Sequence, residues 1–401
     1  MFRRLRQYTA MAATLAGVIL LAGRGYADSG AVNSRPVAGD DFSALIRNLG
    51  APRFADRQRA SQRLLNAGTA AEPALRAAVA GSDAEIRDRA ARILGQISAA
   101  DFESRLEAFA ADIEGKQNHE LPAWQRFSQL FGADETARGL FVEMQRAEPE
   151  LLQMLDSNSP AIVEAFNRRC EELTTGPEAF NPDGNAGPSI GSVATVMFVG
   201  ISPDVKIDEQ SGVQVFGLIQ PMLQSGWRRG SWLPLLRQMA VQWIQKDSSP
   251  AVAFQNLWLA FSFDFREGLS VAERLLRTDP PSPDIAPFAV LTVSRFGTRE
   301  HMSLIEPLLK DAKSILNEDN DGDHVETQMR DVALAALVHL SGQELESYGF
   351  DKSLPPHQIV FQPGKYGFSS AAKRNLAHQK WNQWKAAQKS ESASSQRSSQ
   401  G

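Results

Sequence analysis

An acidic run at residues 317–323 carries the side chains best suited to hold a metal ion. Its carboxylate and amide oxygens are the ligands that the hard cation Ca²⁺ prefers. With Gly322 at the sixth position of an EF-hand loop, oxygen ligands fall at positions one, three and five, but Gln328 stands where a bidentate Glu is expected. The same composition is typical of a solvated connector between helices. The run therefore predicts either a connector or a weak Ca²⁺ site formed by Asn317, Asp319, Asp321 and Asp323.

Two tryptophans that flank two arginines form a second candidate site, in the segment Trp227-Arg228-Arg229-Gly230-Ser231-Trp232. Trp and Arg are enriched among the residues that dominate binding energy at protein interfaces. We therefore expect either a partner-binding surface at Trp227, Arg228, Arg229 and Trp232, or two rings that cap the apolar seam between helices.

The remaining chemistry-bearing residues form no recognised catalytic motif. The six histidines include no His-Glu-x-x-His pair, and no nucleophile elbow, phosphate-binding loop or dinucleotide fingerprint occurs. Cys170 follows apolar residues at helical spacing, which predicts a buried, inert thiol, with a reactive thiol as the alternative. We assign no catalytic residue and no cofactor beyond the Ca²⁺ candidate. Since carboxylates are plentiful, a hydrolase with its site near Thr174–Ser189 or Gly226–Trp232 stays open.

The first 27 residues have the pattern of a secretory signal peptide. A basic stretch, Phe2-Arg3-Arg4-Leu5-Arg6, precedes an apolar stretch that Arg24 ends before it reaches membrane-spanning length. Small residues at Gly25 and Ala27 predict cleavage after Ala27, with an uncleaved anchor as the alternative. Either reading predicts an exported protein, periplasmic or extracellular, and cleavage predicts no stable membrane insertion of the mature chain.

Composition excludes several classes of protein. The chain has 401 residues, of which 43% are hydrophobic and 22% charged, with a single cysteine. This is ordinary globular composition, and it excludes a collagen-like, disulfide-stapled or wholly disordered chain. Loss of the signal peptide removes four arginines and no acid, so that the net charge changes from −5 to −9. An acidic mature chain predicts that nucleic acid is not a partner.

Apolar residues recur with helical period almost throughout, which predicts an all-α fold. The predicted helices are Asp56–Ala67, Pro73–Val79, Asp83–Ile97, Phe102–Ile113, Glu135–Leu155, Pro160–Leu173, Val213–Leu223, Leu233–Gln245, Val252–Phe261, Val271–Leu276, Ala286–Phe296, Met302–Leu309 and Val325–Leu340. One extended piece is predicted at Gln358–Phe361.

An internal signature recurs along the chain. An Arg is followed after three residues by Ala and after four more by a large apolar residue, which places all three near one helical face. The small Ala lets a neighbouring helix approach, and the Arg is expected to lie at the edge with its head in water. The five occurrences are Arg57/Ala60/Leu64, Arg87/Ala90/Leu94, Arg237/Ala240/Ile244, Arg330/Ala333/Leu337 and Arg374/Ala377/Trp381.

These residues resemble the repeats of HEAT and armadillo α-solenoids, clearly over 41–99 and 284–340 and less regularly between them. The block from Arg330 through Tyr348-Gly349-Phe350 to Trp384 also resembles the C-terminal part of a group of exported bacterial HEAT-like proteins of unassigned activity. The predicted organisation is a signal peptide 1–27, a linker 28–40, N-terminal HEAT-like repeats 41–115, an irregular helical region 116–283, C-terminal HEAT-like repeats 284–350, an extended segment and capping helix 351–387, and a disordered tail 388–401.

The resemblance implies an α-solenoid scaffold that binds another protein along its helical surface without covalent chemistry. Two alternatives remain at this point. One is an envelope enzyme or enzyme subunit with its site in the irregular middle region, and the other is a structural envelope protein that assembles with itself.

Overall fold

A computed structural model describes residues 41–176, 179, 187–224, 230–246, 249–278, 281–320, 323–350 and 358–398. Within them the chain is a succession of helices with one two-stranded sheet, which confirms the all-α fold. The chain divides into two compact units, residues 1–103 and 104–401. This division falls inside the predicted N-terminal repeat region 41–115.

The first unit contains α1 (Phe42–Asn48), α2 (Phe54–Ala67), α3 (Glu72–Val79) and the start of α4 (Ala84–Ala111), with a 3₁₀-helix at Gly68–Ala71. The first residues of α2 and α4 are 30 positions apart in the sequence, and so are the first residues of α1 and α3. The buried side chains follow the same interval, because Leu45 matches Leu75 and Ala60 matches Ala90. The described part of the first unit, from residue 41, therefore consists of two helix pairs that repeat in sequence and in burial.

The signature arginines of this unit make the same contact. The Nη1 of Arg57 donates to the carbonyl of Ala51 at 2.8 Å, and the Nη1 of Arg87 donates to the carbonyl of Gly81 at 3.4 Å, six residues earlier in both cases. The expectation that the guanidinium heads lie in water is confirmed for Arg87, whose side chain is exposed, and holds only in part for Arg57, which is half-buried. They reach back across the start of their own helix, where loop carbonyls lack a helical partner.

One predicted helix boundary is wrong. The predicted helices Asp83–Ile97 and Phe102–Ile113 are a single helix, α4. The residues that join them, Ser98-Ala99-Ala100-Asp101, include no Gly or Pro, and Ala has the highest helix propensity of all residues. The helix therefore continues through them.

The second unit adds α5 (Trp124–Phe131), α6 (Glu135–Ala147), α7 (Pro149–Asp156), α8 (Ile162–Thr175), α9 (Ile190–Ile201), α10 (Glu209–Gln224), α11 (Leu233–Gln245), α12 (Pro250–Phe263), α13 (Gly268–Leu276), α14 (Ala286–Phe296) and α15 (Met302–Ile305). Short 3₁₀-helices lie at Gly230–Trp232, Arg299–His301 and Glu306–Lys310. The predicted helix Glu135–Leu155 is two helices, because Pro149 has no N–H to continue the first and instead starts the second.

The sequence-based reading missed α9, which lies at the centre of this unit. Every residue from Gly191 to Gly200 is buried, and α9 contacts α6, α7, α8, α10 and α11. Two glycines allow this packing. A Cβ added at Gly191 would lie 2.1 Å from the carbonyl oxygen of Glu143 on α6, and one at Gly200 would lie 2.6 Å from the ring of Trp243 on α11. A helix that is apolar on all sides shows no amphipathic period, so a search for such a period passes over it.

The C-terminal part contains β1 (Ser314–Asn320), β2 (Asp323–Gln328), α16 (Met329–Leu340) and α17 (Ala371–Ser398), with 3₁₀-helices at Leu345–Tyr348 and Pro363–Tyr366. The two strands pair in antiparallel register, with Asn317 opposite Glu326 and Glu318 opposite Val325. The predicted helix Val325–Leu340 is therefore partly strand. The predicted extended piece at Gln358–Phe361 forms no strand, and the sheet lies at 314–328 instead.

Two further predictions concern the C-terminal stretch and the repeated signature. Helix α17 continues through residues 388–398, where the composition predicted disorder; the stretch contains helix-favouring Ala, Gln, Glu and Arg and no Gly or Pro. In the signature of this unit, Ala240, Ala333 and Ala377 are buried, as are Ile244, Leu337 and Trp381. The predicted packing role of the Ala and the large apolar residue is thus confirmed there.

Candidate functional site

The candidate site lies where the β-hairpin meets α16 and α17. Gln328 ends β2 and caps the N-terminus of α16, and the backbone N–H of Gln328 donates to Oδ2 of Asp331 at 2.8 Å. Asp331 is completely buried. A carboxylate in the first turn also interacts favourably with the positive end of the helix dipole. The carboxylate of Asp331 is thereby positioned at the junction of strand and helix.

Arg374 on α17 provides the positive partner of this buried carboxylate. Its Nε donates to Oδ1 and Oδ2 of Asp331 at 2.9 and 3.0 Å, and its Nη2 donates to the backbone carbonyl of Glu326 at 3.0 Å. The same Nη2 lies 3.2 Å from the carboxylate of Glu326. Only 4% of the Arg374 side chain is exposed. One guanidinium therefore joins the last helix, the cap of α16 and strand β2.

His378 lies one helical turn after Arg374 and faces the same carboxylate. Its Nε2 is 3.8 Å from Oδ1 of Asp331, which is too long for a hydrogen bond. This nitrogen is buried and has no hydrogen-bond partner among the described residues. His378 thus lies beside the ion pair without belonging to its hydrogen-bond network.

A polar groove of about 560 Å³ opens beside His378, along one face of α17. It is lined by Arg330, Asn375, His378, Gln379, Asn382, Gln383 and Ala386. Of these side chains, one is a guanidinium, one an imidazole and four are carboxamides, so the groove offers many hydrogen-bond donors and acceptors. Such a lining suits recognition of a polar surface; it lacks the nucleophile and carboxylate pair that hydrolysis would use.

A second groove, of about 570 Å³, lies between α8 and α10. Asn167 donates to Asp208 at 2.9 Å and accepts from Ser211 Oγ at 2.9 Å, while the Ser211 N–H donates to Asp208 at 2.7 Å. The hydroxyl of Ser211 is thus engaged by an amide and not by a base. These contacts fasten the start of α10 to α8 and form no catalytic arrangement.

Lys246 ends α11 and fastens the C-terminus of the central helix. Its Nζ donates to the carbonyls of Gly200, Ser202 and Val205 at 2.5, 2.8 and 2.6 Å. A cation there matches the negative end of the α9 dipole and satisfies carbonyls that have no helical partner. Burial lowers the pKa of Lys246 to about 8, while the nearby carboxylate of Asp204 acts in the opposite direction. The ammonium form therefore persists at neutral pH.

Cys170 is fully buried on α8, as the sequence predicted. Burial raises the pKa of its thiol to about 12, and the charge of Asp208 acts in the same direction. Since the thiolate is the nucleophilic form, this thiol is unreactive near neutral pH.

The acidic run of the Ca²⁺ candidate forms the β-hairpin. Asn317 and Asp319 lie on β1 and Asp323 begins β2, so the backbone differs from that of a loop between two helices. Asp321 and the side chains of Asp319 and Asp323 lie outside the described residues. In the part that the structure does describe, no group of three or more His, Cys, Asp or Glu side chains could hold a metal ion.

Most of the Trp-Arg candidate, Trp227, Arg228 and Arg229, lies outside the described residues, as do the signal peptide with Ala27 and the linker. Trp232 is described and half-buried. Its indole lies over Gly139, where a Cβ would be 3.5 Å from Nε1. This contact corresponds to the alternative in which the ring packs on the helical seam.

Two residues of this site were not predicted from the sequence, although each belongs to a recognisable sequence pattern. Arg374 belongs to the repeated signature, and Asp331 belongs to an Arg-Asp pair at a helix start. Their pairing across 43 residues has no sequence signal. Lys246 has no distinguishing signal either, because its three acceptors are backbone carbonyls of another helix.

The fold and this site define a helical protein with buried interhelical ion pairs and open polar grooves. Among the described residues, no helix combines the length and apolar character that a membrane crossing requires. No family model, curated protein or solved structure matches the chain.

Proposed function

We propose that the chain is an exported helical-repeat scaffold that binds another protein and performs no covalent chemistry. One observation carries this proposal: in the first unit, two helix pairs repeat after 30 residues with matched arginine-to-carbonyl bonds at Arg57 and Arg87. Repeated helical pairs stack their apolar faces and leave successive solvent-facing helices as a surface for a partner.

The charged groups of the second unit agree with this role. Arg374 and Asp331 link elements to one another, and so does Lys246. Arg169 donates through Nε and Nη2 to the largely buried carboxylate of Glu148 at 2.8–3.0 Å, which joins α8 to the start of α7. These groups hold helices together, and the polar side chains of the open grooves remain to recognise a surface.

The test is site-specific photo-crosslinking of the full chain in its native envelope. A photoreactive residue replaces Gln62 on α2 or Gln96 on α4, which are both solvent-facing. We expect discrete protein adducts from at least one position. A position on the long exposed part of α17, Gln383, samples the second unit in the same experiment.

Two outcomes would replace the proposal with its alternatives. No adduct at any position, together with hydrolytic activity abolished by substitutions within 116–283, would indicate the enzyme. Adducts of the chain with itself alone, with high-order assembly of the purified protein on a sizing column, would indicate the structural envelope protein.

A further inference from the structure

The hydrogen bonds of β2 determine which edge of the hairpin is closed. The N–H of Glu326 donates to the carbonyl of Phe368 at 3.2 Å, and the N–H of Phe368 donates to the carbonyl of Glu326 at 3.0 Å. Arg374 donates to the same carbonyl of Glu326. The outer edge of β2 is therefore paired at Glu326 and covered by a buried guanidinium.

The same bonds determine the direction of the backbone on β1. Since both backbone groups of Glu326 point toward Phe368, those of Asn317, the residue opposite, point away from β2. Backbone direction alternates along a strand, so the N–H and C=O of Asp319 point the same way, and those of Leu316 and Glu318 pair with β2. Asn317 is exposed.

Among the described residues, no backbone group outside the hairpin bonds to Asn317 or Asp319, so this edge of β1 is open there and has the form to which an extended chain binds. An edge strand presents a row of unpaired N–H and C=O groups, and an incoming segment can add to it as a further strand. The 3₁₀-helix Pro363–Tyr366 does not cover this edge. Its Gly364 lies against the side chains of Leu316 and Glu318, which project from a face of the sheet and not from its edge.

The charge of the hairpin indicates which kind of segment could bind at the open edge of β1. The hairpin sequence 314–328 contains five acids and no Lys or Arg, so it keeps a net negative charge even when Arg374, the partner of Glu326, is counted with it. A second copy of the same strand would bring two acidic hairpins together, and such like-charge contacts are unfavourable. A segment with Lys or Arg side chains would instead be attracted by the net negative charge of the hairpin sequence.

We propose that the open edge of β1, at the backbone of Asn317 and Asp319, binds an extended, lysine- or arginine-bearing segment of a partner protein as a third strand. This inference rests on the proposed function and specifies the chemistry of the partner segment.

The test uses the full chain, labelled with ¹⁵N, and a fluorescent peptide probe of four Thr-Lys repeats. In the free protein, the amides of Asn317 and Asp319 are expected to exchange with solvent freely, while those of Leu316 and Glu318 are protected by β2. Saturating probe is expected to slow exchange at Asn317 and Asp319 at least tenfold. Unchanged exchange at both amides would overturn the proposal.

A matched pair of variants isolates the backbone contact. Asn317→Pro removes an N–H that points away from β2, so it blocks strand addition without removing a bond of the hairpin. Asn317→Val keeps the backbone N–H, and valine has high strand propensity. We expect the proline variant to bind the probe at least tenfold more weakly than the valine variant, with Glu318 protected in both. Equal binding by two variants that both protect Glu318 would overturn the proposal.

A charge control and the crosslinking experiment separate the two proposals. A peptide of four Thr-Glu repeats is expected to bind at least tenfold more weakly than the lysine probe. Equal affinity would contradict the proposal that the partner segment is basic. Protein adducts from Gln62 or Gln96 without protection at Asn317 would overturn this inference and leave the scaffold function standing. Absence of adducts at every position would instead count against the scaffold function.

Discussion

The two carboxylate oxygens of Asp331 accept hydrogen bonds from Nε of Arg374, at 2.9 and 3.0 Å. Both side chains are almost completely buried. A buried pair of this kind holds its partners in one geometry, because either charge alone would be strongly unfavourable in the protein interior. The pair thereby joins α17 to the cap of α16. Through the carbonyl of Glu326, Arg374 also covers one edge of the hairpin. In the described part of the chain, no residue outside the hairpin pairs with the backbone of Asn317 or Asp319 on the other edge.

Loss of the guanidinium should destabilise the second unit strongly. We expect Arg374→Met to lower the free energy of unfolding by about 3–5 kcal/mol, because Asp331 would remain buried without its counter-charge. The matched control is Lys385→Met on the same helix, which removes a partly exposed ion pair with Glu306 and should cost about 1 kcal/mol or less. Urea denaturation followed by circular dichroism measures both. Equal losses would show that burial of the pair is unimportant.

Lys246 should matter more than an exposed lysine nearby. Lys246→Met removes three hydrogen bonds from a charged donor, and of the three acceptor carbonyls that of Ser202 alone keeps a second bond among the described residues, from the N–H of Val205. We expect a loss of about 2–3 kcal/mol. Lys206→Met, at an exposed position of the loop before α10, should change stability by less than about 0.5 kcal/mol. Thermal unfolding of the two variants in one buffer compares them directly.

The close contact of α9 with α6 predicts a contrast between two glycines. Gly191→Ala should lower stability by about 2–3 kcal/mol, because the new methyl group would overlap the carbonyl of Glu143. Gly217→Ala on α10 meets no atom within 4 Å and should stabilise its helix by up to about 1 kcal/mol. A stable Gly191→Ala protein would show that α6 and α9 can separate at little energetic cost.

The thiol of Cys170 should be inert in the folded protein. With a pKa of about 12, it is almost wholly protonated at pH 8, and the side chain is also inaccessible. We expect no reaction with Ellman's reagent within an hour in buffer, and reaction of one thiol per chain in 6 M urea. Ser157→Cys, at an exposed position, provides the reactive control in the native state.

The loop after α4 should lose its order only in strong acid. Hydrogen bonds from the N–H groups of Gln117 and Lys116, at 2.9 and 3.0 Å, together with His119, lower the pKa of Asp112 to about 2. A depressed folded-state pKa means that the contribution is present above the ordinary value near 4 and is lost as the pH falls through about 2.

Amide exchange of Lys116 and Gln117, followed by NMR, tests this dependence. Protection is expected to persist at pH 4 and to disappear near pH 2, and Asp112→Ala should lack it at both values. Loss of protection already at pH 4 in the unaltered protein would contradict the assigned role of Asp112.

Helical period alone was sufficient for the fold class and for most of the amphipathic helices, since an apolar stripe at this period has few other places to be buried. It failed where local pattern was absent or misleading. The helix α9 is apolar on all sides. The residues 325–328 were included in a predicted helix but end strand β2, although Asp321-Gly322 in the sequence is a hairpin signal.

The sequence by itself determined the all-α class, the 30-residue repeat at Arg57 and Arg87, and the burial of Cys170. Only the tertiary structure decided that Arg374 pairs with Asp331, that Lys246 fastens the end of α9, and that the hairpin has one closed and one open edge. The reason is physical. Helix period and capping depend on neighbours within a few residues, whereas these contacts join residues some 40 positions apart and form only when packing brings their elements together.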